Sequence, residues 1–147
     1  MLCSLEEILK YKNPAVVRRF QKEYPEKASR AEDIFDDLMR FFWGTKKHVL
    51  DRSQNPKNDD LDFFFIMDED MRDIDLMWHI FLLYTRDYAD YCQRYFGEFL
   101  HHQPDLVPYF EEKGFEFEPN LEKFLNYTFD LFGESVIRRW FSTSLAH

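Results

Sequence analysis

Residues 75–102 read DLMWHIFLLYTRDYADYCQRYFGEFLHH, and how this stretch is read decides the fold. No proline occurs in it, and no glycine before Gly97. Uninterrupted segments of this kind are helical. Thr85 is able to cap a second helix beginning at Arg86, with Asp87 early in its first turn. A break near Thr85 is therefore expected, rather than one continuous rod. Gly97, lacking a side chain, permits a further bend.

The same stretch carries three of the five histidines and one of the two cysteines. On one straight helix His79 and Cys92 would stand about 20 Å apart along the axis. They could not share an ion, whose ligands lie at about 2.0–2.3 Å. With a tight turn at Thr85 the two become nearly level on facing helices. His101 joins them only through a bend at Gly97. The metal ligands expected on this reading are His79, Cys92 and His101, and a soft divalent ion such as zinc would suit imidazole and thiolate. Asp75 lies four residues before His79 on the same helical face. A carboxylate there orients an imidazole, either as a base or as a satisfied structural histidine. Trp78 is expected to be buried. Arg94 is the one base near Cys92, which gives little support to an activated thiolate. The candidate pocket set is Asp75, Trp78, His79, Tyr88, Cys92, His101 and His102.

Outward from this segment, four glycines and six prolines leave few breaks in the chain, so the rest is also helical. Ser4-Leu-Glu-Glu7 is a capping box, and Ser29-Arg-Ala-Glu32 a second. Asn13-Pro14 caps and starts a helix between them. Ile34, Phe35, Leu38, Met39, Phe41 and Phe42 recur at helical spacing. That helix ends at Gly44 or runs on toward Leu50. Residues 51–60, DRSQNPKNDD, carry no apolar side chain and read as the clearest and most mobile loop. Residues 61–67, LDFFFIM, read as an irregular strap. At most they pair with residues 115–117, FEF, in one short β ribbon. The acidic run at residues 68–75 lacks the glycine and the terminal glutamate of a calcium loop. Asn120 is read as the cap of a later helix and Gly133 as its C-terminal stop. The expected fold is all-α, one domain over residues 1–147 with about six to eight helices.

Composition narrows the function. Phe 17, Tyr 8 and Trp 3 point to a core of rings or to an aromatic-lined groove. A net charge of −9 argues against a nucleic-acid partner. The longest apolar runs, residues 63–67 and 80–84, are too short to span a bilayer, and the start MLCSLEEILKYK does not resemble a signal peptide. Two cysteines without a Cys-x-x-Cys fit a reducing compartment. The expectation is a cytoplasmic protein with no membrane partner.

Asp75-x-x-Trp78-His79, followed by Tyr88, Cys92, Gly97 and His101, resembles the signature segment of the glycine-rich domain-containing protein-like family. Tyr127-x-x-x-Leu131-Phe-Gly133 and Trp140 resemble the closing part of those proteins. The likeness covers about half of the chain. It departs where many members carry His-x-His, since this chain has His79-Ile80-Phe81. The resemblance implies that Trp78, His79, Tyr88, Cys92 and His101 act together, and it implies no defined activity.

No phosphate loop, HExxH or Gly-x-Ser-x-Gly motif occurs. The leading reading is a non-catalytic module binding a protein or a small ligand, with no cofactor. The alternative is a metal-binding protein or metal-dependent enzyme centred on Asp75, His79, Cys92 and His101.

Overall fold

A computed structural model describes residues 1–102 and 117–142. Among these the fold is all-α, with no strand. Seven α-helices follow in order: α1 Leu5–Ile8, α2 Pro14–Glu23, α3 Ala31–Gln54, α4 Arg72–Leu83, α5 Thr85–Phe96, α6 Phe117–Phe132 and α7 Glu134–Trp140. Single 3₁₀ turns lie at Pro25–Arg30, Asp59–Leu61 and Glu69–Met71.

Local signals account for most boundaries. Ser4 Oγ accepts from the Glu7 amide and starts α1. Asn13 Oδ1 accepts from the Val16 amide, with Pro14 next in line, and starts α2. Tyr84, at φ −92° and ψ 66°, separates α4 from α5. The break falls one residue before the expected cap, and Thr85 is already helical. Gly97 adopts φ +70°, a conformation that glycine takes at little cost, and ends α5.

α3 is the axis of the molecule. It spans 24 residues and packs on α1, α2 and α4. Its buried face continues the helical period from Ala31 through Phe42 and Gly44 to His48. One cluster of buried side chains runs from Ile8 of α1 to Phe141 after α7. Rings make up much of it. Tyr11, for example, lies 4.7–6.1 Å from Phe35, Phe81, Tyr91 and Tyr95.

Three sequence expectations are corrected and a fourth is narrowed. Ser29 is no cap: the 3₁₀ turn leads straight into α3, and the Ala31 amide donates to the Ala28 carbonyl. Of the two ends expected for α3, a stop at Gly44 is excluded, and the helix runs on past Leu50 to Gln54. A Cβ there would stand 2.7 Å from Phe65 Cζ, so the glycine admits a crossing ring instead. The polar stretch 51–60 begins with the last turn of α3. There Asp51 takes Lys47 at 2.8 Å and the Tyr127 hydroxyl at 2.8 Å. Polarity marked a solvated helix face, not the end of the helix.

The last correction concerns Asn120, which sits inside α6 and not at its cap. Its side-chain oxygen accepts from the Phe64 amide at 2.6 Å, and its side-chain nitrogen donates to the Phe64 carbonyl at 3.1 Å. The strap is extended, with Phe63 buried and Phe64 turned out. Its backbone is held by side chains, with this carboxamide at Phe64, Arg52 at the Phe63 carbonyl and Lys123 at the Asp62 carbonyl. The proposed ribbon partner at residues 115–116 lies outside the described residues, and Phe117 is helical.

Candidate metal and ligand site

One turn of α4 separates Asp75 from His79 and places both on one outward face, with Trp78 between them turned inward. The indole N–H of Trp78 donates to the Tyr88 hydroxyl at 3.0 Å. That hydroxyl in turn donates to the Leu100 carbonyl at 2.5 Å. The Leu100 carbonyl is thus held by a side chain of α5. After Gly97 the chain has turned back and runs without regular structure from Phe99 to His102.

This anchorage decides which histidine enters the site. In an irregular, extended run, neighbouring side chains face opposite ways. His101 is exposed and lies 4.9 Å from the Phe99 ring. His102 turns in, with its side chain 12% exposed. Its Nε2 is 2.6 Å from Asp75 Oδ1, and its ring is 4.3 Å from Trp78 and 4.6 Å from His79. His79 Nε2 stands 3.8 Å from the same carboxylate oxygen, with its side chain 52% exposed. One ligand atom from each of Asp75, His79 and His102 lies within 4.8 Å of the other two. The His102 hydrogen bond holds the Asp75 carboxyl below its ordinary range. Partial burial opposes this, and the His79 ring reinforces it.

The trio His79, Cys92 and His101 is therefore not brought together. Cys92 is fully buried on the inner face of α5, where burial pushes its thiol pKa up. A neutral, enclosed thiol is neither an activated nucleophile nor a ready ligand. His101 points away. Of the candidate pocket set, Asp75, His79 and His102 converge, Trp78 backs them, Tyr88 holds the segment that carries His102, and Cys92 lies in the core. The doublet His101-His102 was visible in the sequence. Which of the two faces Asp75 depends on how the chain leaves Gly97.

On the far side of His102 lies a cavity of about 310 Å³. It is bounded by α3, the strap and the segment after Gly97. Phe41, Phe42, Phe65 and Trp78 form its aromatic lining, and Lys46 and Glu98 face each other across it as an ion pair. Sequence reasoning missed Lys46 and the α3 wall, because nothing local links position 46 to position 98.

Comparison with known proteins bears on the resemblance. Residues 5–116 match the UCP032817-like family model. The chain belongs to the UCP032817-like family. Membership in the UCP032817-like family replaces the glycine-rich domain-containing resemblance, which no comparison supports. The residues that carried that resemblance have packing roles here. Trp78 and Tyr88 bridge two helices, Cys92 fills the core, and Gly97 ends a helix. No curated protein and no solved structure matches this UCP032817-like chain. Among its described residues no helix is long and apolar enough to cross a membrane.

Proposed function

We propose that this chain binds a divalent transition metal through Asp75, His79 and His102. The observation that carries this reading is one carboxylate and two imidazoles with ligand atoms within 4.8 Å of one another. It differs from the alternative drawn from sequence in replacing Cys92 and His101 with His102. Ligands about 2.0–2.2 Å from a tetrahedral zinc lie about 3.3 Å apart. The Asp75–His102 pair must open from 2.6 Å, and His79 must close from 3.8 Å. The exposed His79 side chain has room for that shift. Two imidazoles and a carboxylate suit zinc, iron or manganese. Three protein ligands leave a coordination position for water or substrate, the pattern of reactive rather than purely structural centres. Trp78 packs against His102 at a tilt of 55° and limits its rotation, so the third ligand is held before an ion arrives.

The free state of Cys3 and Cys92 supports a reducing, cytoplasmic setting. The net charge of −9 supports the absence of a nucleic-acid partner.

Calorimetric titration of tag-free protein with zinc tests the reading. One equivalent should bind with release of protons. His79→Ala and His102→Ala should each weaken binding at least tenfold, while His101→Ala and Cys92→Ser leave it within about twofold. No uptake by the wild type sinks the proposal. So does loss in His101→Ala with retention in His102→Ala.

A further inference from the structure

We infer that the aromatic cavity between α3, the strap and residues 98–102 binds a small aryl carboxylate, with the ring on Phe41, Phe42 and Trp78 and the carboxylate on Lys46. The inference does not depend on the metal reading, because the recognising cation belongs to α3.

The cavity, at about 310 Å³, is at the lower end of the range for small-molecule sites. Its floor is rigid. Phe41, Phe42 and Trp78 are buried, and Trp78 lies 5.9 Å from Phe41 and 5.0 Å from Phe42 at steep interplanar angles. Tilted rings at such spacings present both edges and faces, and a further ring packs on either. Phe99, exposed at the rim, offers a movable edge.

The polar groups specify the ligand's charge. Lys46 and Glu98 form the ion pair across the cavity, and the two halves are unequal. The Lys46 side chain is 25% exposed and the Glu98 side chain 59%. Lys46 is fixed on a long helix against an apolar wall, and that burial lowers its pKa. It therefore benefits from a resident anion. Glu98 follows Gly97 on an irregular turn and is well solvated by itself. An ion pair with one well-solvated partner contributes little. A ligand carboxylate can thus displace Glu98 at low cost and leave it in water.

Among the described residues, Glu98 is also the one acidic residue lining the cavity. His101, His102 and Lys46 are the basic ones. With a net charge of −9, the molecule as a whole repels anions. Preference for a carboxylate must then come from Lys46 locally, which makes it separable by mutation.

The test compares 4-phenylbutyrate with 4-phenylbutan-1-ol, two ligands of nearly equal shape that differ in the charged head. Binding is measured by calorimetry on the full chain in the presence of EDTA. The acid should bind at least tenfold more tightly than the alcohol. Lys46→Met keeps the aliphatic stem and should reduce the acid to the level of the alcohol, leaving the alcohol unchanged. Glu98→Gln should tighten the acid severalfold by removing its competitor. Circular dichroism confirms that each variant is folded. Equal binding of acid and alcohol by the wild type overturns the inference, as does failure of both to bind at millimolar concentration. An acid preference that survives Lys46→Met overturns it as well. A preference that appears only with zinc, and is lost in His102→Ala, assigns the carboxylate to the metal and also overturns it. Zinc titration of the same variants reads the metal proposal independently, since Lys46 is not one of its ligands.

Discussion

Single side chains hold this molecule together at points where no regular structure does. His48 is the clearest case. It is buried beneath Phe63, Phe65 and Tyr127, with ring separations of 4.1, 5.9 and 5.3 Å. Its Nε2–H donates to the Leu61 carbonyl at 2.9 Å. Burial lowers its pKa, so the folded chain keeps it neutral where an unfolded histidine is charged. Below a pH of about 6.5 the unfolded state takes up a proton that the folded state does not. Stability from this residue is therefore present above that pH and is lost as pH falls through the folded value. Urea midpoints measured from pH 7.5 to 5 should fall in the wild type. His48→Phe keeps the ring but cannot ionise, so it should give a flatter profile over the same window. An unchanged slope would show that His48 is protonated in the fold.

Between elements, the strap is the most informative case. Residues 62–67 form no regular element and have no neighbouring strand among the described residues. Asn120 of α6 supplies both the acceptor and the donor that a ladder residue would offer to Phe64. The strap also carries Phe65 over Gly44 onto Phe41 and Phe124, with ring separations of 5.5 and 4.6 Å. Losing the carboxamide removes both of these bonds at a part-buried position. Asn120→Ala should cost about 1–3 kcal/mol in denaturant unfolding. Asn120→Asp should be no better, because a carboxylate can still accept from the Phe64 amide but cannot donate to its carbonyl. If Asn120→Asp unfolds with the wild type, the donated bond contributes nothing. From sequence, an asparagine directly after Pro119 and before the apolar-periodic run that follows reads as a cap. Its long-range partner, 56 residues away, leaves no local mark.

At the scale of the whole molecule, the chain ends its described course by closing on its own axis. Arg139 of α7 donates two bonds of 2.8 Å to the buried Asp37 of α3, across 102 residues of sequence. Arg40 adds a third contact to Asp37 at 2.7 Å. Trp140 and Phe141 then complete the cluster that Ile8 begins. Asp37→Asn keeps the shape but removes the charge that the two guanidiniums share. It should cost about 1.5–3 kcal/mol, as hydrogen bonds to charged groups do. The loss should appear as one cooperative transition at a lower midpoint. A separate early transition confined to α7 would show that this helix is not part of the common core.

The residues alone determined the helical class and much of its punctuation. Few glycines and prolines, the caps at Ser4 and Asn13, the break beside Thr85 and the stop at Gly97 all act within a few residues of themselves. Short-range hydrogen bonding and backbone sterics decide such features, so they can be read locally. The candidate site was legible as a neighbourhood: Asp75, His79 and a histidine from the doublet at 101–102. Tertiary structure alone decided that the histidine is His102. That choice goes with the Tyr88 hydroxyl holding the Leu100 carbonyl, two residues before His102. The same holds for the pairing of Lys46 with Glu98 and of Asn120 with Phe64. Each joins groups more than fifty residues apart. Such contacts form only once the ring-filled core has brought their elements into register.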